Sequence, residues 1–198
     1  ANSQVSYMSL GDVHAARKEY DLAIDAYRKA VEVAPLQLAE YKRTAGTYFD
    51  QTTYDLMRRA ADIVTAGVHV KAGQVSVAKG DYAGGVDAFK KAAGLAPNDS
   101  ATFYQLGAAQ ARLGKFDEAG TALDNAIGME TAGSKKAAPY LGARSLVRRE
   151  KGDREGARAD AGQAFALNPE AEFVREAWAA VGLDDGRYEE AIRLLSSL

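Results

Sequence analysis

Cysteine is absent from the 198 residues, histidine occurs twice and proline four times. Without cysteine there is no disulfide framework, no thiolate metal site and no thiol nucleophile. The compartment stays undetermined, because a chain without thiols reads the same in oxidising and reducing surroundings. Charge of one sign is lacking too: 25 Lys+Arg stand against 27 Asp+Glu, a formal net charge of −2. That balance gives no footprint for generic nucleic-acid binding. Long apolar runs are missing. The longest uncharged stretch, Ser100 to Ala111, has 12 residues, whereas a bilayer-spanning helix needs about 20. Membrane insertion is therefore not expected. No charged-then-apolar leader opens the chain, and Ala1 leaves a leader or an upstream domain open.

What the chain has in quantity is alanine, 40 residues of it, the residue with the highest helix propensity. Nineteen glycines look unfavourable for helices until their positions are compared. The segments Lys18–Ala23, Gly80–Gly85, Gly114–Ala119, Gly152–Ala157 and Gly186–Ala191 are alike, with spacings of 62, 34, 38 and 34 residues. A period near 34 marks stacked repeats, each too small to bury its own apolar face. The 62-residue gap holds one further, shortened repeat.

Each repeat reads as a helical hairpin. Leu10-Gly11, Ala72-Gly73 and Leu106-Gly107 put a small residue on the inner face of the first helix, where a second helix can approach closely. Gly80, Gly114, Gly152 and Gly186 end that helix as left-handed caps. Ala23/Tyr27/Ala30, Gly85/Phe89/Ala92, Ala119/Leu123/Ala126 and Ala157/Ala161/Ala164 form one apolar stripe on the second helix. Pro35, Pro97 and Pro169 follow such stripes by five residues and are expected to stop the helix.

With Tyr7, Leu10, Gly11, Ala23, Tyr27, Ala30 and Pro35 in the first repeat, and Phe103, Leu106, Gly107, Ala119, Leu123 and Ala126 in the fourth, the chain resembles the tetratricopeptide repeat (TPR) family. His14 and Gln110 depart from the usual aromatic, and Thr131 from the usual proline. The resemblance implies an all-α, right-handed α-solenoid of about six helix-turn-helix units in a single array over 1–198. The register places them at 4–37, 38–65, 66–99, 100–137, 138–171 and 172–198. The second is irregular, and Val64–Gly67 must turn tightly or run on as a bent helix. The fourth carries a longer loop around Thr131–Ala137.

A catalytic reading has little support. His14 and His69 occupy packing positions, no His-containing metal spacing occurs, and carboxylates are scattered as on a solvated face. Gly128–Lys135 has the wrong order for a phosphate-binding loop and no preceding strand. No enzyme activity, cofactor or metal is expected. The TPR resemblance implies instead a concave wall lined by the first helix of each repeat. Its inward positions include Gln74, Tyr104, Ala108, Arg112, Leu146, Arg149 and Phe173. Aromatic and arginine side chains carry binding energy when desolvated. The expectation is a non-catalytic scaffold that binds a partner peptide or domain, with apolar side chains and an acidic group. The competing reading of Arg112 and Arg149 is pairing with acids on adjacent repeats. The carboxylate clamp of heat-shock co-chaperones is missing, since the matching places hold Val70, Gln74, Gln105, Pro139 and Ala143.

Residues 135–158 carry a net +5 and residues 170–190 a net −5, read chiefly as attraction between adjacent repeats. The aromatics Tyr41, Tyr48, Phe49 and Tyr54 read as core of the irregular repeat. The last segment, Ala191–Leu198, is amphipathic. A solenoid end with an apolar face calls for more chain or a second copy, so self-association through terminal repeats is the alternative function. A regulatory or targeting segment of a longer enzyme is the third. The Ala-, Gly- and Arg-rich composition suits a bacterial, GC-rich source.

Overall fold

The computed structural model describes residues 3–45 and 50–196. Among the described residues there are ten α-helices and no strand. The chain forms two compact halves, residues 1–98 and 99–198, each taken by itself below.

The N-terminal half contains α1 (Gln4–Ala16), α2 (Tyr20–Ala45), α3 (Gln51–Lys79) and α4 (Tyr82–Leu95). Close approach within the hairpins rests on glycine facing a large side chain. A Cβ at Gly73 would stand 2.6 Å from Cε1 of Phe89, and Gly11 faces the ring of Tyr27 in the same way. The buried core is Ala23, Tyr27, Ala30, Val68 and Val75, with Tyr7, Ile24, Val31 and Ala72 packed against it. Polar bonds tie α1 to α3: the Gln4 amide donates to Thr65 Oγ1 at 3.1 Å, and Lys71 pairs with Asp12 at 2.8 Å. The order of these pairs makes α1 run parallel to that stretch of α3.

One expectation about a helix end is corrected. Pro35 does not stop its helix: α2 continues through it to Ala45. A proline inside a helix removes one hydrogen bond and crowds the preceding turn, but here the ring is exposed while Ala34 beside it is buried. Packing of α2 on α3 offsets the loss. Of the two alternatives at Val64–Gly67, the chain runs on as helix: α3 extends unbroken from Gln51 to Lys79. Ala66 and Val68 are buried on either side of Gly67, and that packing outweighs glycine's helix penalty of about 1 kcal/mol. Residues 38–65 therefore comprise the last part of α2 and the first part of α3, with 46–49 outside the described residues. Tyr41 is 49% exposed rather than core, and Tyr54 lies beneath Lys42, whose Nζ is 4.5 Å from the ring centroid. Tyr48 and Phe49 lie outside the described residues. Pro35→Ala is expected to raise unfolding free energy by up to ~3 kcal/mol, the interior-proline penalty, read by thermal and urea denaturation.

The C-terminal half contains α5 (Ser100–Arg112), α6 (Phe116–Gly128), α7 (Ala137–Glu150), α8 (Arg154–Leu167), α9 (Glu172–Asp184) and α10 (Tyr188–Leu195). A Cβ at Gly107 would meet Leu123 Cγ at 2.8 Å. Glycine and its partner are thus sixteen residues apart in three hairpins: 11 and 27, 73 and 89, 107 and 123. After α7, Gly152 takes φ +79, a left-handed cap that a side chain would strain. Residues 129–136 form the longer loop between α6 and α7. Ala119, Leu123, Ala143 and Val147 are buried together, as are Ala157, Ala161 and Val181.

Candidate partner-binding surface

The first helices of the C-terminal hairpins, α5, α7 and α9, form a continuous wall. Tyr104 on α5 and Tyr140 on α7 bring their ring centroids to 5.0 Å at an interplanar angle of 31°. Burial, and then the neighbouring Tyr140, push the Tyr104 hydroxyl above its ordinary pKa. Behind them Ser100 Oγ donates to Glu130 at 2.6 Å and lies 3.3 Å from the Tyr140 hydroxyl. Phe173 on α9 packs over Gly142 of α7, where a Cβ would stand 3.3 Å from the Phe173 ring. Tyr104 and Phe173 are both partly buried against the Ala119–Leu123–Ala143–Val147 cluster. Leu146 and Ala108 are partly exposed, and Arg112 is exposed at the end of α5. Gln74 lies in the other half, exposed on α3.

Arg149 takes the second of the two roles weighed from sequence: it pairs with Asp184 on α9, through Nε to Oδ2 and Nη2 to Oδ1 at 3.2 Å. The hydrogen bond from Arg149 holds the Asp184 carboxyl below the ordinary carboxylate pKa. Arg158 likewise pairs with Asp185 at 2.5 Å. The basic run 135–158 and the acidic run 170–190 thus meet as ion pairs between successive hairpins. A depressed folded-state pKa stabilises the protein above the unfolded value and loses that contribution as pH falls through the folded one. Stability is therefore expected to decline below about pH 4. The Arg149→Ala variant should lose less of it across that acid limb, as measured by urea denaturation at several pH values.

A polar network lies between α6, α7 and α8. Arg144 donates two hydrogen bonds to Asp160, at 2.8 and 2.7 Å, and a third to Asp124 at 2.7 Å. Arg148 reaches the same Asp160 at 2.9 Å. The Asp160 side chain is only 4% exposed and that of Arg144 17%. Donating hydrogen bonds to Asp160 raises the Arg144 pKa further above its already high value. Sequence reading missed this network, although Arg144 at the place of Leu106 was visible as a break in the apolar register.

The histidines show no catalytic arrangement. His14 Nδ1 is 2.6 Å from Glu19 Oε2, and His69 is partly buried on α3. Among the described residues no group of three or more His, Asp or Glu could hold a metal ion. No helix among them is long and apolar enough to cross a membrane.

Hairpins in one phase, with glycine under a large residue in three of them and a left-handed cap after each of the last three first helices, define an all-α helical-repeat protein. Family models described as tetratricopeptide repeat match residues 5–35 and 70–138, together just over half of the chain, and the protein belongs to the tetratricopeptide repeat family. Among solved structures it is similar to MamA of Desulfovibrio magneticus RS-1, at 13% identity and TM-score 0.70, covering 100% of this chain and 93% of that one. It is also similar to YrrB, described as a TPR protein with an unusual peptide-binding site (17% identity, TM-score 0.62, coverage 98% and 84%). A third is pilF of Pseudomonas aeruginosa (15% identity, TM-score 0.69, coverage 98% and 75%). At these identities the likeness is one of fold. No curated protein sequence matches.

Proposed function

We propose that the protein is a non-catalytic interaction module that binds a partner peptide or domain along the α5–α7–α9 wall. The fold supports protein–protein interaction, the usual work of tetratricopeptide repeats. The observation that carries the finer reading is the placement of Tyr104, Ala108, Arg112, Leu146 and Phe173 on three successive first helices, none of them fully buried. Aromatic rings already held by packing bind at small cost in side-chain entropy. Arg149 contributes only where a partner carboxylate competes with Asp184. Gln74 is a separate candidate contact on α3. The six-repeat division belongs to the same reading, with 38–65 shared between two long helices.

A library of apolar peptides, with and without one Asp or Glu, tests it by direct binding. Binding that requires the acidic residue and falls at least tenfold in Arg112→Glu and Leu146→Glu, with the helical circular dichroism unchanged, is the expected result. Undiminished binding by both variants removes the wall from consideration.

A second reading has its own observation. Tyr188, Ile192 and Leu195 on α10 are spaced four and three apart and are 61%, 58% and 43% exposed. Such a stripe suits a second copy of the chain. Light scattering that shows a monomer at all concentrations would exclude it.

A further inference from the structure

One contact between successive hairpins is made in both halves of the chain by the same register positions. In the N-terminal half, Tyr20, Ile24 and Tyr27 of α2 share a cluster with Ala72 and Val75 of α3, and Asp21 pairs with Lys79 at 2.5 Å. In the C-terminal half, Phe116 and Leu123 of α6 share a cluster with Val147 of α7, and Asp117 pairs with Lys151 at 2.5 Å. Each time a second helix supplies two large apolar side chains seven apart, with an acid directly after the first. The first helix of the next hairpin covers them with a valine that stands four residues before a lysine.

Each side of this contact also stands exposed elsewhere among the described residues. On α10, Tyr188, Ile192 and Leu195 take the places of Tyr20, Ile24 and Tyr27, and Glu189 takes that of Asp21. All four are exposed. On α1, Leu10, Val13 and Arg17 take the places of Ala72, Val75 and Lys79. Leu10 and Val13 are 44% and 54% exposed, whereas Val75 and Val147, at the place of Val13, are 7% and 3% exposed. Arg17 is exposed as well, with Glu19 beside it at 3.1 Å. One face thus carries the apolar pattern and the acid of a second helix. The other carries the valine and the base of the first helix that covers it.

We propose that α10 of one copy of the chain packs on α1 of another, as α2 packs on α3 and α6 on α7, with Glu189 paired to Arg17. The proposal rests on the reading that a second copy covers the α10 stripe, and it adds which face of that copy does so. The match selects the occupant: apolar positions meet the register that covers them within the chain, and the facing charges are opposite in sign. Because the two faces differ, the contact is head-to-tail. Each copy keeps one face for a further copy, so assembly runs on past a dimer unless it closes into a ring. No residue of α5, α7 or α9 takes part, so partner binding on that wall stands or falls separately.

The test is sedimentation velocity of the whole protein over a wide concentration range. Wild type should grow in size with concentration. Val13→Glu and Ile192→Glu should each abolish that growth with the helical circular dichroism unchanged, since each sets a charge into the apolar contact from an exposed position. Mixed together, the two variants should form a one-to-one dimer and nothing larger, because one sound α10 then meets one sound α1. Arg17→Glu and Glu189→Arg should each weaken association at least ~5-fold, the upper worth of one exposed ion pair, and the chain carrying both should regain it. Wild type that stays monomeric at every concentration overturns this proposal and the second-copy reading together. Growth that survives Val13→Glu but not Ile192→Glu overturns this proposal alone, with α10 seated on another face of the second copy. Absence of the mixed dimer overturns it, as does a double charge variant no better than the single ones.

Discussion

Asp160→Ala lowers the unfolding free energy by about 3 kcal/mol, because it leaves a largely buried arginine without its main partner. Among the described residues Asp160 is the only carboxylate that reaches both Arg144 and Arg148, and its side chain is 4% exposed. The loss falls at the low end of the ~3–5 kcal/mol range for a broken buried pair, since Arg144 keeps Asp124. Urea denaturation measures it. The double variant Arg144→Leu/Asp160→Ala should recover part of the loss, because the arginine stranded by Asp160→Ala is then gone and leucine stands at this register in α5. A double variant no more stable than Asp160→Ala would place the cost outside the ion network.

Phe89→Ala is expected to cost about 3–5 kcal/mol, the range for truncating a buried aromatic. Phe89 is 2% exposed, and its ring covers Gly73 at a distance that leaves no room for a Cβ. Gly73→Ala alone should cost about 1–3 kcal/mol through overpacking, partly offset by alanine's helix propensity of about 1 kcal/mol. The double variant should lose clearly less than the sum, since the methyl that clashes in one background occupies space vacated in the other. Strict additivity in a double-mutant cycle would mean that the two residues do not support each other as described.

That glycine–aromatic pairing was legible in the sequence because it is a local, repeated relation: Gly11, Gly73 and Gly107 recur at one offset from Tyr27, Phe89 and Leu123. The caps at Gly80, Gly114, Gly152 and Gly186 were legible for the same reason, since a positive φ leaves few alternatives to glycine. The passage of α2 through Pro35 was not, and at Val64–Gly67 the sequence left a turn and a continued helix both open. Both are penalties of one to three kcal/mol, and burial of Ala34, Ala66 and Val68 against neighbouring helices decided the outcome from outside the local sequence. The candidate wall was legible only as a register. Its positions follow from periodicity, but pairing of Arg149 with Asp184, thirty-five residues away, depends on how two successive hairpins meet.

The unbroken course of α3 has a consequence for how the N-terminal half opens. Repeat arrays ordinarily fray one hairpin at a time, because each contacts only its neighbours. Here 29 residues of a single helix serve both the stretch opposite the end of α2 and the hairpin with α4, with no loop at which opening could stop. Hydrogen exchange along Ala60–Val75 should therefore follow one common opening free energy, as in a single foldon, where separate repeats would show a step at Gly67.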